Sequence, residues 1–345
     1  MEDPGCGVTW EARHIETVAD RAGARKCPLP RWLARAWHQG SRLRILSIPV
    51  EPIVVEVRRN GIVEARHRVH AVAVQGGAVM AEAGDAGLIC FMRSSSKPIQ
   101  ALPLARARDD LDERDLAIAS ASHRATEDQI AAVRALLEKA PATEDDLELG
   151  LQAGRPPQKI FHNCSGKHAG MLALCRAHGW PTQGYRLPEH PVQQACRDAH
   201  AEAAEADASE LPTATDGCGV VTFALPLEQM AHAFARIERL PAGSCVANAM
   251  RAQPDLVGGP KGEDFRLMRA AAGWFAKGGA EGLLCAASAD GVGIALKAED
   301  GATRPLGPAL AAFLAPLGID LPGLATVPVT NSRGERVGEL VAVGS

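Results

Sequence analysis

Short Val-rich runs separated by two-residue turn pairs constrain this chain more than any other feature in it. Between Ile53 and Gly84 it reads IVVEV, Asn60-Gly61, IVEARH, VHAVAV, Gly76-Gly77 and AVMAEAG. Asn-Gly and Gly-Gly accept the positive φ of a tight hairpin turn, so the stretch is expected to form an antiparallel meander. After Lys277 the pattern returns as LLCAA, Ala289-Asp290-Gly291 and VGIALKA, then a helix near residues 306–315, then VPV and LVAV as closing strands. Between about 94 and 275 the apolar period lengthens to that of helices. Ile130, Val133, Leu136 and Leu137 share one helical face, and Leu227, Met230, Phe234 and Ile237 another, with Pro226 suited to the first turn. The Ala-, Gln- and Glu-rich stretch from His190 to Ala206 should also be helical, and Gly179 reads as a helix stop. The expected fold is α/β of the α+β kind. One antiparallel sheet is drawn from both chain ends (53–93 and 277–345), and a helical lobe (94–276) lies between them in sequence. The cleft between sheet and lobe is the default place for a site. Residues 1–48 show no sustained period and are expected to be a poorly ordered extension, or to lie upstream of the true start, ahead of a domain spanning 49–345.

Composition narrows the function. Lys and Arg form no run that could neutralise phosphates, and aromatic residues for stacking bases are 4% of the chain, which argues against nucleic acid. No apolar run approaches the roughly 20 residues that cross a bilayer, so no membrane is expected. The opening MEDPGCGVTWEARHIET carries Glu and Asp where a signal peptide has Lys or Arg and then an apolar stretch. The nine cysteines are odd in number and irregular in spacing, which fits a reducing, cytoplasmic setting. Cys90, Cys175, Cys196, Cys245 and Cys285 read as small buried hydrophobes.

Chemistry concentrates where the apolar run LICFM gives way to Ser94-Ser95-Ser96-Lys97. If Ser94 opens a helix, Ser94 and Lys97 stand three apart on one face. A serine hydroxyl is a weak nucleophile until a base takes its proton, and a lysine can do so only when neutral. Burial and a second cation both lower a lysine pKa. Taken alone, the motif also describes an N-cap serine and a solvated helix lysine. Ser122-His123, after LAIASA, supplies another hydroxyl, and Lys277-Gly278-Gly279 another cation at a strand start. Cys164 and Cys218, without a second C-x-x-C, read on spacing alone as buried thiols.

The order S-x-x-K, a lobe serine, then Lys-Gly-Gly resembles the serine penicillin-recognising enzymes and β-lactamases. A narrower resemblance covers the chain from about Ile53 onward. RSSSKPIQALPL, ASASH, HNCSGKHAGM, TDGCGV and KGGAEG, in that order, resemble the bacterial L-asparaginases of the Rhizobium type, the asparaginase II family. That resemblance implies a β-lactamase-like sandwich and hydrolysis of L-asparagine to L-aspartate and ammonia by a homodimer. It implies two neighbouring Ser-Lys pairs, Ser94 with Lys97 and Ser122 with Lys277, in which Ser94 attacks, Lys97 takes its proton and Ser122 relays a proton; which serine is acylated stays open. It further implies zinc on Cys164, Lys167 and Cys218, and substrate contacts from Arg93, His168 and Asp216, of which His168 and Arg93 could equally serve structural hydrogen bonds. Two rivals stand beside it, another serine hydrolase of the same fold and a non-catalytic zinc-dependent amino-acid-binding protein. The chain departs from the family after Ser122-His123, where it reads RATE in place of a Gly-containing turn.

Overall fold

The Asn60-Gly61 and Gly76-Gly77 pairs do what their chemistry suggests. All four residues have positive φ (45°, 80°, 58° and 82°), and they join strands β1 (Ile53–Arg59), β2 (Ile62–Gln75) and β3 (Ala78–Ala83). The computed structural model describes residues 51–260 and 262–343, so the extension expected over residues 1–48 lies outside the described residues. Strands β4 (Ile89–Phe91), β5 (Thr213–Thr215) and β6 (Val221–Pro226) follow, and then β7 (Trp274–Gly279), β8 (Leu283–Ser288), β9 (Val292–Ala298), β10 (Thr326–Thr330) and β11 (Arg336–Val343).

The strand-rich stretches on either side of the helical lobe in sequence meet in one sheet, as expected. Its order is β10-β11-β1-β2-β9-β8-β7, with β3 paired to β2 off this path. Antiparallel pairing sets Val54 against Val343 on one side of β1 and Ile53 against Val69 on the other. Strand β2 is long enough to serve three neighbours. Its first half pairs with β1, and residues from Val69 to Gln75 pair with β9 and, from Ala71, with β3.

The lobe contains helices α1 (Lys97–Gln100), α2 (Leu102–Ala107), α3 (Glu113–Ala119), α4 (Glu127–Lys139), α5 (Ser165–His178), α6 (Pro191–Ala204), α7 (Leu227–Arg236), α8 (Gly243–Ala252), α9 (Pro254–Val257) and α10 (Glu263–Ala270). Helices α11 (Leu306–Leu314) and α12 (Pro322–Ala325) come later, and α11 packs on β1 and β11. The faces read from the sequence are the buried ones: Ile130, Val133, Leu136 and Leu137 on α4, and Leu227, Met230 and Phe234 on α7, continuing to Ile237. Helix α5 ends at Gly179 with φ 66°. Helix α7 presses on the sheet so closely that a Cβ at Gly293 would lie 1.9 Å from the Ala231 carbonyl oxygen.

Four expectations need correcting. The apolar run around Ile89–Phe91 does not join the main sheet; β4 pairs with β6 in a separate three-stranded sheet, order β4-β6-β5. Strand β6, VTFALP, is buried on both faces, so it shows no period-2 alternation and was absorbed into the helical reading. Lys277 sits inside β7, because Trp274, Phe275 and Ala276 before it are already buried strand. Cys245 is exposed and Cys90 half-buried, while Cys175, Cys196 and Cys285 are buried as expected.

Candidate active site

The chain leaves β4 through a strained turn. Arg93 has φ 49°, a left-handed conformation that a long side chain rarely adopts. It is held there from β6: the Met92 N–H donates to the Phe223 carbonyl (2.8 Å) and the Arg93 N–H to the Thr222 hydroxyl (3.1 Å). The Arg93 guanidinium Nε reaches Asp216 Oδ1 at 2.6 Å. Strain over-determined in this way gathers at functional sites. Ser94 follows within a 3₁₀ turn, Arg93–Ser96, rather than opening an α-helix. Of the three consecutive serines, the buried Ser95 and Ser96 donate their hydroxyls to the carbonyls of Lys277 (3.0 Å) and Arg93 (2.6 Å). Ser94 is half-buried and remains as the hydroxyl of the run open to a substrate.

Lys97 is wholly buried, and its Nζ donates to the Ala121 carbonyl (2.5 Å) and the Ser122 hydroxyl (2.9 Å). Burial pushes its pKa down to about 8; Lys167 and Lys277 push the same way, against Cys164 and Cys218. Its hydrogen bond therefore goes to Ser122 and not to Ser94, because the buried amine is anchored by the carbonyl next to Ser122. Lys277 was expected beside Ser122, yet its Nζ donates to Asp264 Oδ2 (3.2 Å) and to the Gly278 carbonyl (2.8 Å). In a water-poor interior an ammonium is compensated better by a carboxylate than by a hydroxyl. Burial alone would raise the Asp264 carboxyl pKa; the Lys277 charge and the N–H groups of Gly278 and Phe265 hold it below the usual range. Asp264 was not anticipated, since an acid in the first turn of a helix reads as ordinary helix chemistry. Thr222 was missed for a similar reason, lying inside an apolar strand.

Cys164, Lys167 and Cys218 are buried together, and Lys167 Nζ lies 2.9 Å from Cys218 Sγ. A hydrogen bond between the two thiols, with burial opposing and Lys97 and Lys167 assisting, holds Cys164 well below the usual thiol range. The same bond, and then burial, raises Cys218. Burial would lower Lys167, but the two sulfurs and Asp216 raise it above the normal lysine range. Among the described residues no group of three His, Cys, Asp or Glu side chains could hold a metal, so only the lysine amine completes a set of three donors. Two thiolates and an amine suit a soft, tetrahedral divalent cation, provided the lysine sheds its proton on binding. His168 is fully buried, with Nδ1 2.7 Å from the Tyr185 hydroxyl, and burial lowers its pKa to about 4. Asp216 joins the two halves of the site, binding Arg93 and lying 3.8 Å from Cys218 Sγ. An open cavity of about 490 Å³ reaches Cys218 between Glu148, Arg186 and Gly217.

A Ser-His contact in the lobe is a structural hydrogen bond. His123 Nε2 lies 2.8 Å from Ser165 Oγ, but the Ala125 N–H donates to His123 Nδ1. The ring proton is thus on Nε2, which cannot take one from Ser165, and the Ser165 hydroxyl donates to the Ile160 carbonyl. The turn that follows, where the chain reads RATE, has Ala125 at φ 60°, the conformation for which glycine is favoured.

Residues 55–342 match the family L-asparaginase II. The chain belongs to that family. Membership makes it an amidohydrolase. No curated protein matches it. Among solved structures, it is similar to a candidate beta-lactamase from Bacteroides dorei DSM 17855, with 13% identity, 72% of this chain and 93% of the other covered, and a TM-score of 0.42. It is also similar to a candidate glutaminase from Bacillus subtilis complexed with 6-diazo-5-oxo-L-norleucine, with 14% identity, 73% and 85% covered, and a TM-score of 0.33. Both likenesses are distant, and the assignment rests on the sequence match alone. Among the described residues no helix is long and apolar enough to cross a membrane.

Proposed function

We propose that this member of the L-asparaginase II family hydrolyses L-asparagine through a serine ester. The observation that carries the reading is Lys97, three residues after Ser94, fully buried, without a carboxylate partner among the described residues, lowered to about 8 and bonded to the Ser122 hydroxyl. Such a lysine is close enough to neutral to act as a base. Ser94 Oγ attacks the side-chain amide carbon while its proton passes to Lys97. The C–N bond breaks as the nitrogen gains a proton, supplied through Ser122, and leaves as ammonia. Water then attacks the aspartyl ester, its proton returns by way of Lys97, and L-aspartate departs. The Ser94 backbone N–H is the proposed first donor to the oxyanion.

The Arg93–Asp216 ion pair stands at 2.6 Å beside Ser94 and presents both signs of charge. That suits the carboxylate and ammonium of a free α-amino acid. Cys164, Lys167 and Cys218 are proposed to hold zinc, which would supply an electrophilic anchor for a polar group of the substrate. The Lys97–Ser122 hydrogen bond favours a second reading, in which Ser122 is the acylated serine. Ammonia release from L-asparagine and L-glutamine, with a chromogenic β-lactam alongside, tests the substrate class. The mass of the trapped acyl-enzyme in Ser94→Ala and Ser122→Ala then assigns the nucleophile. A wild type that binds asparagine but releases no ammonia would leave only the binding-protein reading.

A further inference from the structure

We propose that Asp264 is a positioning residue, which holds Lys277 as a fixed cation at the site and so leaves proton transfer to Lys97. This rests on the asparaginase reading only for its kinetic consequences. The ion pair is almost sealed, the Lys277 side chain being 1% exposed and that of Asp264 7%. The carboxylate is also gripped by backbone: Oδ2 accepts the Gly278 N–H at 3.1 Å and Oδ1 the Phe265 N–H at 2.9 Å.

The loop before α10 is shaped around that carboxylate. A Cβ at Gly258 would lie 2.4 Å from Asp264 Oδ1, and one at Gly262 would lie 2.3 Å from the same atom. Two glycines thus clear the space in which the acid sits. A carboxylate serving only the free first-turn N–H groups of helix α10 could do so from the helix surface, without two glycines to clear its space.

The held strand in turn seats the nucleophile turn. Ser95 Oγ donates to the Lys277 carbonyl, and a Cβ at Gly279 would lie 2.8 Å from Ser95 Oγ and 2.9 Å from the Met92 carbonyl oxygen. Fixing Lys277 therefore fixes the strand on which the Ser94 turn rests, and the ammonium stays where it acts on Lys97 through space. Lys97 and Lys277 take different tasks because Lys277 has a carboxylate partner and Lys97 has none among the described residues.

The test compares Asp264→Asn, Lys277→Met and the double variant, reading kcat and KM for L-asparagine and the melting temperature. Asp264→Asn is expected to lose roughly tenfold or more in kcat with KM changed less than about threefold. The double variant should be no slower than Lys277→Met, and should melt higher, because it no longer buries an unpaired carboxylate. If Asp264→Asn kept more than half of kcat, or if the two kcat losses multiplied in the double variant, Asp264 would be only a structural group. Should Lys277→Met fail to fold, Gly262→Ala keeps both charges and displaces the carboxylate, so a wild-type kcat in it overturns the proposal. If the wild type released no ammonia, the substrate reading would fail by itself; the melting cycle would still decide the pairing, since additive losses mean that Asp264 does not hold Lys277.

Discussion

Lys97 in the helical lobe and Lys277 in the main sheet are both buried at the site, and their surroundings treat them in opposite ways. Lys97, in the lobe, meets a carbonyl and a serine hydroxyl, and burial with no carboxylate lowers its pKa to about 8. Lys277, in the sheet, is just as hidden but carries Asp264 with it. Equal burial does not give equal chemistry. What decides whether a buried amine can act as a base is the charge of the group that replaces water around it.

The hardest way to break this contrast is to remove the reactive pair in the lobe. Ser94→Ala and Lys97→Ala should each lose at least about 1000-fold in turnover while remaining folded, and the double variant should be hardly worse than either. A Ser94→Ala enzyme retaining more than about a tenth of wild-type turnover, roughly 1.4 kcal/mol in barrier, would sink the nucleophile assignment.

A smaller effect is expected at the cysteine cluster, which borders Lys97 without supplying its base. Cys164→Ser should empty the proposed zinc site and raise KM by about 10- to 100-fold, with kcat much less affected. Metal analysis and kinetics on the same preparation decide the matter. Equal metal content in both proteins would return Cys164 to the buried thiols, and abolished turnover on metal loss would move the chemistry onto the cation.

The pH profile sharpens the contrast further. Lys97 must be neutral to accept a proton, so kcat/KM should fall about tenfold per pH unit below about 8 and level off above it. The stability sign runs the same way. Because the folded pKa lies below the unfolded value, Lys97 opposes folding below about pH 8, and that opposition fades as pH rises toward the unfolded lysine value of about 10.4. A kcat/KM that stays flat between pH 6 and 8 in the wild type would remove Lys97 from the role of base.

The smallest effect concerns the turn that leaves Ser122. Ala125 at φ 60° is strained, so Ala125→Gly should raise stability by up to about 1 kcal/mol with activity unchanged. A lower melting temperature would show that the strain is offset by contacts of the Ala125 methyl.

Much of the fold was legible in the sequence because its signals are local. Asn60-Gly61 and Gly76-Gly77 carry the backbone requirement of their turns in their own chemistry, and the α4 and α7 faces repeat at the period of a helix. Strand β6 was not legible, since a strand buried on both faces has no alternation to read. Of the candidate site, the structure links Arg93, Asp216, Cys218 and Lys167 in one chain of contacts and Lys97 and Ser122 in another. Its pairings were not legible in the sequence, because Lys97 turned to Ser122 and Lys277 to Asp264.

The sequence by itself determined the meander, the helical stretch between two strand-rich ends, and membership of an amidohydrolase family, all of which depend on neighbours within a few residues or on the order of motifs. Tertiary structure alone decided which lysine acquired a carboxylate. Asp264 and Lys277 are thirteen residues apart on different elements, and no periodicity links them. Only when α10 and β7 close on each other and exclude water does an ion pair of this kind become the lowest-energy use of both charges.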